Sequence, residues 1–123
     1  MRYEISLLCN KCQPLYNNPT WGKYPKNLLI YLTRVRQEGD NLIKVMTKVK
    51  IPNNLHLNLK RYSLNGIVSH IGKTSMDGHW ITYVKHNQNE IWYKCDDSKV
   101  QIAEDDSFLT SATCFLLSYT LKT

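Results

Sequence analysis

The chain has 123 residues, of which 42% are hydrophobic and 21% charged, a composition that fits one modest globular domain with a real core but not two. Lysine and arginine exceed aspartate and glutamate by 16 − 10 = 6. The excess is spread along the chain, so it favours solubility and does not specify a nucleic-acid reader. No secretory signal is visible and no apolar run reaches membrane-spanning length. We therefore expect an intracellular protein, cytoplasmic or nuclear, with neither a membrane nor a nucleic acid as its partner.

Cysteine usage also favours a reducing compartment. Cys9 and Cys12 form a C-x-x-C pair, whereas Cys95 and Cys114 stand alone, which fits an intracellular protein better than a disulfide scaffold. Two cysteines at this spacing are half of a zinc knuckle or a redox motif, but a tetrahedral zinc site needs four ligands. Because no second C-x-x-C and no H-x-x-x-H follows, a pair that binds nothing in this chain alone is an equally good interpretation.

The first half of the chain predicts strands separated by loops. Residues 13–27 hold three of the four prolines and predict an irregular connection. The apolar run 28–32 predicts a buried central strand, and 36–41 predicts a turn with Gly39 at its tip. Alternation over 42–51 predicts a strand whose lysines form a solvated face. The predicted strands of this half are 3–8, 28–32, 42–51 and 55–59.

The stretch 62–100 predicts a strand, a glycine-bearing loop and a hairpin that runs from His79 to Asp96. With 87–88 as a two-residue turn, His79 stands directly opposite Asp96 on the face that carries Tyr83. Directly opposed residues have Cβ atoms about 4.5–5.5 Å apart. An imidazole beside a carboxylate is the geometry of a general base and its orienting group. A purely structural His–Asp hydrogen bond on a sheet is the alternative interpretation.

The C-terminal stretch completes the prediction of the fold class. Residues 101–110 predict a turn or a single helical turn, and 114–121 predict a closing strand rich in aromatic and aliphatic side chains. Nearly every predicted element is a strand and long amphipathic helices are missing. We therefore expect an α+β fold that is predominantly antiparallel β.

The residues around the hairpin resemble the histidine box of the ubiquitin-specific proteases, a family of papain-like cysteine peptidases. The box is matched by a strand ending in His70, then Gly72, then Gly78-His79-Trp80, and then Asp96-Asp97-Ser98-x-Val100. Cys9 and Cys12 are similar to the second C-x-x-C of the family's zinc-binding fingers. Further stretches that resemble family strands, in the correct order, are 24–35, 44–57, 62–72 and 114–119.

The resemblance implies that residues 1–123 are the C-terminal (fingers and palm) half of a papain-like ubiquitin-specific protease domain, without the N-terminal lobe that carries the cysteine box. It implies that His79 is the general base and Asp96 its orienting carboxylate. Asp97 is a secondary catalytic candidate, because the family often places a second polar residue there, near the oxyanion.

The resemblance also implies which residues contact the ubiquitin tail. Gly78 gives the tail close backbone access because it lacks a Cβ atom. The loops 36–43 and 71–77 correspond to the two loops that fold over the tail. Trp80 stands where the family has tyrosine, so an aromatic wall is kept and a hydroxyl is lost. The expected substrate-binding residues are His70, Gly78, Trp80 and Tyr83.

The expected function is therefore that of half a deubiquitinating cysteine protease, which supplies the histidine base and the aspartate orienter for hydrolysis after the C-terminal glycine of ubiquitin. The expected partners are ubiquitin or a ubiquitinated protein, together with the missing N-terminal lobe. Catalysis requires no cofactor, and a structural zinc ion at Cys9 and Cys12 requires a second cysteine pair supplied upstream. None of the four cysteines lies in a cysteine box, so we expect the chain alone to be inactive. A relic or pseudoenzyme that binds ubiquitin or another protein without cleavage is the alternative, and a small basic nucleic-acid module that shares only the hairpin is a third.

Overall fold

A computed structural model describes residues 23–74 and 77–123. Within these residues the chain forms strands and one short 3₁₀ turn, Ser107–Leu109. No helix in the described ranges is long and apolar enough to cross a membrane. The strands are β1 (Asn27–Tyr31), β2 (Val35–Glu38), β3 (Asn41–Lys44), β4 (Val49–Lys50), β5 (Asn54–Leu57), β6 (Lys60–Ile71), β7 (His79–Lys85), β8 (Trp92–Asp96), β9 (Lys99–Ile102), β10 (Thr110–Ser111) and β11 (Cys114–Leu121).

One antiparallel sheet of seven strands organises the described part of the molecule. Its order is β1-β11-β6-β7-β8-β9, and β5 pairs with the first part of β6. The twelve residues of β6 lie between β11 and β7, so this strand is the centre of the sheet. Two small antiparallel sheets, β2–β3 and β4–β10, flank it. The prediction of a predominantly antiparallel β fold is confirmed.

The core packs against one face of this sheet. The directly paired residues Ile30, Leu117, Ile67 and Tyr83 run across four neighbouring strands on that face, because directly opposed residues of adjacent strands share a side. Tyr62 is also fully buried and donates its hydroxyl hydrogen to the backbone carbonyl of Pro25 at 2.7 Å. A buried tyrosine hydroxyl requires such a partner.

The opposite face, here called the outer face, is apolar and largely uncovered in the described structure. The paired residues Leu29, Ser118, Gly66, Val84, Tyr93 and Ile102 cross it in one row. Leu29 is 63% exposed and Ile102 is 57% exposed. An apolar surface of this extent is typical of an interaction site rather than of a solvated face.

Two predictions about individual strands are wrong. The run 28–32 was expected to form a buried central strand, but among the described strands β1 lies at the edge of the sheet, and Tyr31 is exposed. The stretch 42–51 was expected to form one strand with solvated lysines, but it divides into β3 and β4. Lys44 is buried there and only 8% exposed. The closing strand 114–121 is confirmed as β11, and the predicted strand 3–8 lies outside the described residues.

Candidate active site

The β7–β8 hairpin carries the predicted pair, but in a register that differs from the expected one. The turn spans four residues, 87–90, closed by a hydrogen bond from the His86 amide to the Ile91 carbonyl. Thr82 pairs with Cys95 and Tyr83 with Lys94, so the predicted two-residue turn and the direct opposition of His79 and Asp96 are wrong. The slip amounts to two residues. Because side chains alternate with a period of two, His79 and Asp96 still share one face.

The side chains of His79 and Asp96 meet diagonally across the β7–β8 pair instead of directly opposite each other. The Nε2 atom of His79 lies within hydrogen-bond distance of Oδ1 of Asp96, and about half of the imidazole is exposed. An ionised carboxylate only accepts hydrogen bonds, so Nε2–H is the donor. Asp96 raises the pKa of His79 above its usual value of 6.5, first through this hydrogen bond and then through its charge. The pairing of Nε2 leaves Nδ1 as the nitrogen available to a reacting proton.

Asp97 adds a second carboxylate to the pair. It follows β8 directly, has a φ of 53°, and forms with Ser98 the tight turn before β9. One ligand atom each of His79, Asp96 and Asp97 lies within 4.8 Å of the others, and the charge of Asp97 further raises the pKa of His79. Within the described ranges these are the three residues that could hold a metal ion. Exposed acidic groups at such distances occur commonly without one, so the cluster is better explained as an electrostatic environment for the imidazole.

Gly78 lies directly against the side chain of His70. A Cβ atom on Gly78 would stand 2.5 Å from Nε2 of His70 and 2.5 Å from the carbonyl oxygen of Ile71. Its φ of 151° also favours glycine. The last two residues of β6 therefore leave no room for a Cβ atom at position 78, which explains why the sequence requires glycine there.

His70 and Trp80 form an aromatic cluster with Phe115 on the outer face. The ring centroids of His70 and Trp80 are 4.6 Å apart, and those of Trp80 and Phe115 are 5.3 Å apart. His70 is 3% exposed, whereas Trp80 is 53% exposed. Burial lowers the pKa of His70, and the nearby charge of Lys44 lowers it further. Because Trp80 directly follows His79 in β7, its partly open indole projects from the face opposite that of the His79 imidazole.

Tyr83 is the predicted site residue that the structure does not bring to this cluster. It lies four positions along β7 from His79, and its ring stacks on Phe108 at a centroid distance of 4.6 Å and an interplanar angle of 10°. Burial raises its pKa. Tyr83 packs against the core, together with Trp92, and does not line the His79 site.

Neither cysteine in the described ranges lies beside His79. Cys95 neighbours Asp96 in β8, so its side chain projects from the opposite face. Cys114 is fully buried, and its Sγ atom lies 3.5 Å from a guanidinium nitrogen of Arg34. The predicted zinc ligands Cys9 and Cys12 lie outside the described residues.

Lys44, which was predicted to lie on the solvated face of a strand, is buried and reaches the site region from β3. Its Nζ atom lies 3.0 Å from Nδ1 of His70 and donates to the carbonyl of Gly72 at 2.6 Å. The one feature of the sequence that pointed to a special role for Lys44 was its place at the start of the stretch 44–57, which resembles a family stretch that begins with lysine. The alternating pattern around this lysine instead indicated a solvated strand face.

Comparison with known proteins identifies the family. The model of the ubiquitin carboxyl-terminal hydrolase family matches residues 1–119. The chain is 30% identical over 131 aligned residues to ubiquitin carboxyl-terminal hydrolase 31 of Homo sapiens, covering 80% of this chain and 10% of that protein. It is 32% identical over 82 residues to ubiquitin carboxyl-terminal hydrolase 3 of Saccharomyces cerevisiae, covering 60% of this chain and 9% of that protein.

Solved structures agree with this result. The fold superimposes on the SAGA DUB module of Ubp8, Sgf11, Sus1 and Sgf73 bound to monoubiquitin with a TM-score of 0.73 and 28% identity, over 80% of this chain and 24% of that one. The chain therefore belongs to the ubiquitin carboxyl-terminal hydrolase family, as part of a ubiquitin-specific protease domain. It spans about a tenth of the length of the two curated relatives described above.

Proposed function

We propose that this chain supplies the general base and the orienting carboxylate of a thiol-dependent hydrolase that cleaves the bond after the C-terminal glycine of ubiquitin. The observation that carries the proposal is the pairing of His79 Nε2 with Asp96, which leaves Nδ1 available. Asp96 raises the pKa of His79, which makes its neutral imidazole a stronger base and stabilises the imidazolium that forms. Family membership supports the substrate class.

The chemistry follows from the His79 tautomer that carries its hydrogen on Nε2 and leaves Nδ1 free to accept a proton. Nδ1 of His79 takes the proton of a cysteine thiol supplied by the lobe that carries the cysteine box, and the thiolate attacks the carbonyl carbon of the terminal glycine. The imidazolium then protonates the departing amine, which leaves a thioester. Water attacks the thioester while His79 accepts its proton, and the thiol and the ubiquitin carboxylate are released. Asp96 holds the ring orientation and stabilises its charged form throughout.

The surroundings of His79 suit an extended glycine-rich tail. Gly78 adds no side chain next to His79, whereas the half-exposed indole of Trp80 projects from the opposite face of β7 and does not line the imidazole. A tail that ends in glycines can pass such a surface closely, whereas larger side chains would clash. A solved relative with the same fold is bound to monoubiquitin, which supports ubiquitin as the partner.

A second candidate is ubiquitin binding without cleavage. It is favoured by the placement of Cys95 on the face opposite Asp96 and by the full burial of Cys114, because neither thiol is placed to use His79 as its base. In this case the base and the orienter persist as part of a binding surface.

The decisive experiment begins with the transcript upstream of the Met1 codon and uses the complete product that it encodes. Hydrolysis of a ubiquitin–fluorophore conjugate should fall by about 10²–10⁴-fold in a His79→Ala variant, while ubiquitin binding is retained. His86→Ala is the matched control, because His86 is an exposed histidine beyond the other end of β7. Unchanged turnover in His79→Ala would refute the catalytic role. A product that binds ubiquitin without turnover would establish the second candidate.

A further inference from the structure

The ammonium group of Lys44 has an unusual set of partners. It donates to the carbonyl oxygens of His70 at 3.0 Å and Gly72 at 2.6 Å, and it lies 3.0 Å from Nδ1 of His70. No carboxylate is among the contacts of Lys44 in the described ranges. A lysine ammonium has three donor hydrogens, so these three acceptors use all of them. The ammonium group therefore links β3 to the end of β6 through hydrogen bonds and is not a solvated surface charge.

The same region contains a close backbone contact between the two ends of the 72–78 loop. A Cβ atom on Gly72 would stand 2.9 Å from the Cα atom of Gly78 and 2.6 Å from the carbonyl oxygen of Asp77. Gly78 in turn contacts the imidazole of His70. The backbones of Gly72 and Gly78 therefore pack directly on each other at the base of the loop. His70 contacts Gly78 at one end, and Lys44 donates to the carbonyl of Gly72 at the other.

This loop base leads directly to His79. Gly78 directly precedes His79 in the chain, and Ile71 pairs with His79 in the β6–β7 ladder. Lys44 ends β3, so the same ammonium group also ties the β2–β3 hairpin to the loop. Displacement of Gly72 or His70 would move Gly78, and with it the backbone that aims the imidazole of His79 at Asp96.

We propose that Lys44 is a positioning residue that, through His70 and Gly72, fixes the base of the 72–78 loop and so holds the imidazole of His79 within hydrogen-bond distance of Asp96. It acts through other residues and has no contact with the reacting atoms. The proposal rests on the proposed function only in treating His79 as the general base. The arrangement itself is a property of this chain that can be measured without catalysis.

The first test uses the unsubstituted 123-residue chain. If Lys44 donates to Nδ1 of His70, the neutral ring must carry its hydrogen on Nε2. Long-range ¹H–¹⁵N correlation spectra of the imidazoles distinguish the two tautomers at neutral pH. We expect Nε2–H for His70. A hydrogen on Nδ1 would exclude the bond to Lys44 and overturn the proposal.

The second test substitutes the lysine. Lys44→Met keeps the length and removes the donors, and Lys85→Met is the matched control, since Lys85 is a part-buried lysine of β7 that bonds to Ser63 at 3.2 Å. In Lys44→Met we expect faster amide exchange at Gly72 and Gly78 and a His79 pKa that falls towards 6.5. Lys85→Met should change neither. Equal behaviour of the two folded variants would overturn the proposal.

A second pair of variants covers the case in which Lys44→Met does not fold. His70→Asn keeps a side-chain acceptor near the position of Nδ1, whereas His70→Leu removes it. His70→Asn should retain more of the wild-type His79 pKa and loop protection than His70→Leu, and the reverse order would overturn the proposal. In the complete product, Lys44→Met should lower kcat by about 10–100-fold with little change in KM. A complete product without turnover would refute the proposed function, while the NMR readouts would still decide the role of Lys44.

Discussion

Replacement of Gly78 by alanine should damage both the stability of the fold and the His79–Asp96 pair. The new Cβ atom would lie 2.5 Å from the imidazole of His70, at a backbone φ of +151°. Conformational strain of this kind costs about 1–3 kcal/mol, and forcing an extra carbon into a packed site adds about 1–3 kcal/mol. We therefore expect a loss of about 2–6 kcal/mol in the free energy of unfolding.

Two other glycines separate these contributions. Gly39 has a φ of +58° and nothing within 4 Å of an added Cβ, so Gly39→Ala should cost only the left-handed strain of about 1–2 kcal/mol. In Gly66→Ala the nearest atom is Cβ of Ser118 at 3.4 Å, and no left-handed strain arises. We expect the smallest effect there.

Urea denaturation followed by tyrosine and tryptophan fluorescence measures these differences. With a denaturant slope of about 2 kcal/mol per molar urea, the midpoint of Gly78→Ala should lie about 0.5–2 M below that of Gly39→Ala. The pKa of His79, measured by NMR titration, should also fall towards 6.5 in Gly78→Ala alone. Identical midpoints together with an unchanged His79 pKa would show that Gly78 is not packed on His70 and would refute the reasoning.

Asp96→Asn should lower the His79 pKa. Because the pKa of His79 is raised in the folded state, the pair stabilises the wild type fully below pH 6.5, and this stabilisation is lost as pH rises through the folded pKa. An unfolding midpoint with the same pH dependence in Asp96→Asn as in the wild type would contradict this. Arg34→Lys should destabilise by about 1–3 kcal/mol for each orphaned carbonyl, because Arg34 is 2% exposed and bonds to the Cys114 carbonyl at 2.9 Å; equal urea midpoints with the exposed control Arg36→Lys would contradict it. Iodoacetamide should label Cys114 only after unfolding, and peptide mapping that finds native labelling there would refute its burial.

The meeting of His79 and Asp96 was predictable because the face that each side chain takes depends only on alternation along the strand. The sequence places His79 and Asp96 an odd number of positions apart with a turn between them, and any register that differs by two residues keeps them on one face. The turn itself was not predictable. Glu90 adopts a φ of 57°, which allows a four-residue connection without glycine, whereas the Asn87-Gln88 dipeptide suggested a shorter one.

The roles of β1 and Lys44 depended on tertiary context. The apolar run 28–32 does indicate a strand, but its place in the sheet follows from tertiary pairing, since β11 is its one partner among the described strands. Lys44 reads as a surface residue because lysine is seldom buried. Its burial is possible because two carbonyls and one imidazole nitrogen converge on it from residues 26 and 28 positions further along the chain, a convergence that no local pattern reveals.

The position of β11 in the sheet has a consequence for how the chain folds during synthesis. Among the described strands β11 is the last to leave the ribosome, yet it lies between β1 and β6, and its residue Thr120 pairs with Asn27. Until β11 arrives, β1 has no neighbour in the seven-stranded sheet, and one edge of β6 stays open along most of its length. Such edges are aggregation-prone in nascent chains, and closing contacts of such long sequence separation slows folding. The 123-residue chain cut back to residues 1–113 should therefore be an insoluble product, although it retains His79 and Asp96.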